Sequence, residues 1–436
     1  MRRCTWSVEL VELVAVLLSA VIGGLALATP VSLEWARGGT ATMQIELLAT
    51  NMPRAAAIGC LAAVVITVFT SSAESTIVPW AAALSGTVVL LLNHQLGPRL
   101  SSVAPLSTLT YVDTLAAGIL LGGLAAAAAV RTSMMLAFLL GILMSVIIGE
   151  VSILAGLEVA PHGLAAWFVD SPPLWLLWPG TALLGWCAAR ARLGKRLTLA
   201  TGELPLGPIL AAVTAVSVPV LGSEWMVRHG TTVGEIVLVT VASVVAALAA
   251  GLLLPGRDGM LLQTSITIGA VGSVIVPLPL PAWMIPLSLL GNIVGMFFGR
   301  RWAMPFVAML ALLALATAAA ASGTPGNMWP GAAIGGTLAL GLATGYSFAA
   351  TLPSHSPSVM LGVAVLFVPG VVIALRGRMF TTDPDSALDN STPGLIALAI
   401  AAGCTINVIL LRKRSIARVE PVLPPAAAEP DGHEPA

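Results

Sequence analysis

Apolar residues fall along this chain in fourteen long stretches, with the polar residues gathered between them. A helix that crosses a bilayer needs about 20 mostly apolar residues, at about 1.5 Å of rise per residue. By that rule the pattern predicts helices over 9–29, 54–71, 76–94, 111–130, 133–155, 173–191, 206–223, 233–254, 260–279, 282–299, 303–322, 330–350, 357–375 and 393–411. Only Ser72-Ala73-Glu74-Ser75 separates the second from the third, and the seventh is short, with Pro219 near its end. The longest connections are 30–53, 95–110, 156–172 and 376–392, none able to hold a folded domain. The expected fold is therefore all-α: a polytopic transmembrane helical bundle of about fourteen spans. The first stretch follows Met1-Arg2-Arg3 and so invites a secretory-signal reading. Glu9 and Glu12 interrupt its start and thirteen further stretches follow, which favours a retained span, a cleavable signal being the alternative.

Composition agrees. Hydrophobic residues make up 57% of the 436 and charged residues 9%. A soluble domain carries about 25% charged residues; a lipid-facing helix can present Leu, Val and Ala outward instead. The formal net charge is zero, which gives no argument for a nucleic-acid partner; the expected partners are the lipid bilayer and an unknown small-molecule or lipid-linked substrate. Cys4, Cys60, Cys187 and Cys404 are isolated, at neither metal-ligand nor redox spacing. The five histidines, His94, His162, His229, His355 and His433, share no metal spacing either. No Walker loop, His-Glu-x-x-His or Gly-x-Ser-x-Gly pattern occurs. No cofactor, no metal and no enzymatic activity are expected, and an ATP-driven pump is disfavoured.

Charge then orients the chain. With fourteen spans and a cytoplasmic N-terminus, fourteen of the 20 Lys and Arg residues fall on the cytoplasmic side and six outside. The positive-inside rule favours this arrangement, with both termini cytoplasmic in a multi-pass plasma-membrane protein. Trp35, Trp167, Trp175, Trp225, Trp283 and Trp329 sit at the outer margins, as an interfacial aromatic belt would. The tail after Arg418 is rich in Pro, Ala and Glu and is expected to be disordered.

Several features recur at a half-chain offset. Leu120-Leu121-Gly122-Gly123 precedes Arg131 as Leu289-Leu290-Gly291-Asn292 precedes Arg300, and Trp178-Pro179-Gly180 matches Trp329-Pro330-Gly331. Val218-Pro219 corresponds to Val368-Pro369, and Thr232, Gly234, Ile236 and Leu238 to Thr392, Gly394, Ile396 and Leu398. Each match pairs helix n with helix n + 6, which implies a parallel repeat and a 2 + 6 + 6 division. The units would be 1–75 as an added helix pair, 76–255 and 256–415 as six-helix halves, and 416–436 as a tail. Gly118-Ile119-Leu120-Leu121-Gly122-Gly123 through Arg131-Thr132-Ser133-Met134 resembles the signature loop of major facilitator transporters, with Gly299-Arg300-Arg301-Trp302 as a second copy. The acidic residue and Gly-Arg-Arg end of that motif are missing from the first copy. The resemblance implies alternating access between two parallel halves. Ser356-Pro357-Ser358-Val359 through Phe367-Val368-Pro369-Gly370 is similar to the Pro-Gly segment of threonine/serine exporters. The Ala-, Val- and Trp-rich, Lys-poor style is similar to integral membrane proteins of mycobacteria and related actinobacteria.

An ionisable residue inside a membrane is a functional candidate by default. Glu150 is the deepest acid, one to two turns from the outer surface; Asp113 and Glu235 sit at the outer ends of the fourth and eighth helices. These three could bind a proton or substrate, or could simply meet water and headgroups at the interface. No acid reaches the midplane, where polarity comes from Asn292, Thr267 and Ser273. Asn292 could bind substrate or only bond to a neighbouring helix. Pro179-Gly180 and Pro369-Gly370 are candidate helix breaks, able to free backbone groups for a ligand or to serve as packing kinks. The expected function is a secondary transporter or exporter of a small or lipid-linked solute by alternating access. The alternatives are a non-catalytic membrane subunit of a cell-envelope complex and a polyprenyl-dependent glycosyltransferase.

Overall fold

Fifteen α-helices, and no strand among the described residues, make up the computed structural model. It describes residues 2–29, 41–100, 105–155, 171–191, 206–229, 232–255, 257–276, 284–322, 330–368, 370–379 and 391–417. The first five helices are α1 (Arg2–Ala28), α2 (Ala41–Ser71), α3 (Ile77–Leu100), α4 (Leu106–Ala128) and α5 (Thr132–Ala155). The next five are α6 (Leu174–Ala191), α7 (Leu206–His229), α8 (Val233–Leu253), α9 (Gly259–Ile275) and α10 (Met284–Arg301). The last are α11 (Pro305–Ser322), α12 (Pro330–Ala350), α13 (Ser356–Ala364), α14 (Val371–Met379) and α15 (Thr392–Ala417). Among the described residues nine segments are long and apolar enough to cross a membrane, by length and composition, and three shorter helices are apolar. The molecule is a polytopic helical membrane protein.

The apolar pattern places nearly every helix, and its departures have local causes. Helix α2 begins at Ala41, well before the expected start at 54. Hydropathy measures the lipid-facing length of a helix, whereas backbone hydrogen bonds continue through polar turns such as Thr50-Asn51. Helix α7 runs through Pro219 to His229. The thirteenth expected span is two helices: α13 ends in a 3-10 turn over Val365–Phe367, and α14 resumes at Val371.

Hydrogen bonds and ion pairs near the helix ends identify the ends that lie together. Arg131, before α5, pairs with Glu9 and Glu12 near the start of α1. Asp258, before α9, accepts at 3.0 Å from the ring of His355, before α13. Thr76, before α3, donates to the Ala191 carbonyl at the end of α6, and Arg414 of α15 to Leu252 near the end of α8. These groups define an amino-terminal face. On the opposite face, Arg54 of α2 makes a two-pronged bond to Glu224 of α7, at 2.6 and 2.8 Å.

Small residues let the tightest helix pairs meet. A Cβ on Gly118 of α4 would strike the Gly59 carbonyl of α2, and one on Gly122 the Ala63 carbonyl. In α10, Gly291, Gly295 and Gly299 recur every fourth residue and lie against α12, whose Gly341 and Gly345 face back. Between lipid-soluble helices such close backbone contact replaces the hydrophobic drive that water would supply. The packing also recurs. Helix α1 packs on α4, α5 and α6; α9 packs on α12, α13 and α15. Helix α2 packs on α4 as α10 does on α12, and α3 on α4 and α6 as α11 does on α12 and α15. With α13–α14 counted as one broken span, each contact is matched eight spans later, whereas the sequence matches suggested six. Helices α7 and α8 have each other as their largest single partner, while α7 also packs on α2 and α14 and α8 on α9 and α15.

Candidate functional site

A cavity of about 400 Å³ lies among α5, α7, α8, α9, α10, α12, the α13–α14 break and α15. Its lining on α9 begins at Ile266, seven residues from the helix start at Gly259, or about 10 Å from the amino-terminal face. Helix α9 contributes positions from 266 to 276 that span more than half of its circumference, so the cavity wraps around the helix. No charged side chain lines it among the described residues. Its polarity comes from Ser243, Ser273, Ser288, Asn292, Thr337 and Thr344. Two glycines leave open space here: a Cβ on Gly269 or Gly370 would meet nothing within 4 Å.

Asn292 is the strongest polar group of the lining, and it is 2% exposed. Its Nδ2 donates at 3.1 Å to the Ser288 carbonyl one turn earlier on α10. Its Oδ1 is buried with no hydrogen-bond partner among the described residues. The bond to Ser288 orients the amide, because a carbonyl demands the NH2 side. An unsatisfied buried acceptor costs about 1–3 kcal/mol, so this position carries an electrostatic demand that the protein leaves open.

The other expected residues are dispersed. Gly370 lines the cavity at the start of α14, and Pro369 lies outside the described residues. Glu150 is carried by α5, and its side chain lies outside the described residues. Glu235 closes a capping box at the start of α8: its carboxylate accepts from Thr232 N at 3.1 Å, and its own N–H donates to Thr232 Oγ1. That is a helix-start role. Pro179 is within α6 and exposed, while Gly180 is buried, its missing Cβ making room for Ile22 of α1. Thr267 bonds back to the Gln263 carbonyl, and Ser273 to that of Ala270.

Asp113 is 3% exposed and sits in a polar cluster that the sequence reading missed. Asn93 of α3 donates to Asp113 Oδ1 at 2.7 Å and to the Leu109 carbonyl at 3.1 Å. His94 Nδ1 lies 3.2 Å from the Leu90 carbonyl and 3.6 Å from Asp113 Oδ2. Both neighbours are acceptors, so the proton belongs on Nδ1. The available signal was the hairpin itself: the end of α3 must lie beside the start of α4, which brings Asn93-His94 opposite Asp113. A second buried pair, Gln263 of α9 and Asn407 of α15, joins those helices and also bonds to the Ala247 and Val244 carbonyls of α8. No group of three or more metal-ligating side chains occurs among the described residues.

No protein-family model matches the chain, and neither does any curated protein. Among solved structures it is similar to an auto-inhibited peptide transporter of the POT family, at 13% identity and a TM-score of 0.45, over 95% of this chain and 99% of that one. It is also similar to XylE, a proton:xylose symporter of the major facilitator superfamily bound to 6-bromo-6-deoxy-D-glucose. There the identity is 13% and the TM-score 0.46, over 92% of this chain and 95% of that one. Likenesses this distant carry no weight for mechanism, which rests on the helices and cavity of this chain.

Proposed function

We propose that this protein is a secondary transporter that carries a small solute by alternating access between two six-helix units, α1–α6 and α9–α15. The cavity carries this reading. It lies within the bundle, and both α5 of the first unit and α9, α10, α12 and α13–α14 of the second contribute to its wall. Only a few helix pairs join the units: α2 with α13, α4 with α13, and α5 with α10 and α12. Narrow seams on two sides of a cavity are what a rocking motion of one unit against the other requires. The recurrence of contacts eight spans apart supports a 6 + 2 + 6 division, with α7–α8 as the added pair. An even offset keeps the two units parallel.

Spin labels test the motion in a chain whose native cysteines have been replaced. One pair, at Ser72 and Ser354, spans the units at the amino-terminal face; a second, at Val112 and Ile285, spans them at the opposite face. Alternating access gives two distance populations at each face that shift in opposite senses between detergent and lipid. One fixed distance at both faces in every condition would instead favour a non-catalytic membrane subunit.

A further inference from the structure

The walls and chemistry of the cavity identify what it takes and how that molecule enters, an inference that rests on the cavity being the transport site. We infer that the occupant is an uncharged, mostly apolar molecule with at least one hydroxyl or N–H donor, admitted sideways from the bilayer past the α7–α8 hairpin.

Three observations converge on this. The first is the absence of charge from the lining among the described residues. An ionised solute would bring its charge against an apolar lining with no counter-charge, at a cost that an uncharged one avoids. A volume near 400 Å³ suits one drug-sized molecule.

The second is the hairpin. Helices α7 and α8 are the least enclosed of the long spans. Val244 and Ala247 of α8 line the cavity, while Val241 and Val245 on the same turns are 53% and 57% exposed. On α7, Pro219 lines the cavity and Leu221, two residues on, is 65% exposed. The hairpin is therefore a wall one helix thick between cavity and lipid. Pro219 removes a backbone hydrogen bond from that wall at cavity depth, which is where a helix bends most readily.

The third is Asn292. Its Oδ1 is buried without a partner at the cavity margin. A donor on an occupant that reaches this oxygen satisfies it while Nδ2 keeps its bond to the Ser288 carbonyl. An apolar molecule lacking a donor fills the same space and leaves the carbonyl unpaired. Discrimination in favour of a donor is strong where a site's own polar group would otherwise stay unsatisfied.

Photolabelling of the full-length protein in phosphatidylcholine nanodiscs tests all three, with labelled peptides mapped by mass spectrometry. The probes are a diazirine-bearing dodecanol, its methyl ether, and a water-soluble diazirine-bearing quaternary ammonium. The alcohol is expected to label residues 266–276 and 337–344 saturably, at a concentration about tenfold lower than the ether, one hydrogen bond's worth. Asn292→Leu should bring the two within about twofold. Gly269→Leu, which fills open space, should cut labelling of these peptides severalfold while labelling of the outer α7–α8 face is retained, which also shows that the variant is folded. Equal labelling by alcohol and ether in the unmodified protein overturns the donor, leaving an apolar site. Preferential labelling by the ammonium probe overturns the uncharged class and the sideways route. Saturable labelling of the lining by none of the three overturns the transport cavity itself.

Discussion

Asp113 and Asn292 are both buried polar residues in a bundle with few others, and they differ in whether their demands are met. Asp113 is held by Asn93 and lies beside His94. Asp113→Ala removes a buried acceptor from both, so unfolding of the purified protein should become easier by about 2–4 kcal/mol. Replacing Asn93 and Asp113 together by Leu should recover at least half of that loss; no recovery would mean that other contacts of Asp113 dominate. Asn292 makes one local bond and leaves its Oδ1 unpaired. Asn292→Leu should therefore leave thermal stability within about 1 kcal/mol of the unmodified protein or raise it, because an apolar replacement ends the unpaired burial. A drop beyond about 2 kcal/mol would show that the amide is a structural bond. Asn292, Asp113 and Glu235 were conspicuous in the sequence because polar residues are scarce there. What separates them, a cavity margin, a buried cluster and a capping box, depends on residues from neighbouring turns and helices.

At the scale of elements, glycines divide into those that admit another helix and those that border open space. Gly118→Val and Gly345→Val place side-chain atoms against the backbone of α2 and α10 respectively, and each should destabilise by about 1–3 kcal/mol or more. Gly234→Ala and Gly269→Ala meet nothing within 4 Å and should be neutral or slightly stabilising, since Ala is the better helix former. Melting curves of the four variants check this; equal losses in all four would refute the packing account. The elements themselves were largely legible, although the thirteenth expected span is two helices. The repeat has one offset in the sequence matches and another in the packing. Matches of Leu-Gly and Trp-Pro-Gly suggested a six-span offset, whereas packing recurs at eight, where glycines bring α2 and α4 together as glycines bring α10 and α12 together. In the proposed 6 + 2 + 6 division, Gly299-Arg300-Arg301-Trp302 closes the second helix of the second unit, and Arg131 follows the fourth helix of the first. The two stretches that resembled one motif stand at different places in the packing.

For the whole molecule, the division of spans predicts topology. Fourteen spans put both chain ends on one side of the membrane. A cysteine near Arg3 and one near Arg418, in a chain whose native cysteines have been replaced, should both escape a membrane-impermeant maleimide added outside intact cells. Labelling of one and not the other would make the number of crossings odd.

The sequence by itself determined that this is an all-helical, many-spanning membrane protein and where most of its helices lie. The reason is that lipid cannot satisfy a backbone, so each crossing must be a helix of about 20 apolar residues and is legible one stretch at a time. Tertiary structure alone decided which helices pair, that contacts recur eight spans apart, that Asn93 and His94 meet Asp113, and that an uncharged cavity forms beside Asn292. Those outcomes depend on how surfaces far apart in sequence fit together, and in a chain where nearly every helix face is apolar, hydropathy does not distinguish one partner from another.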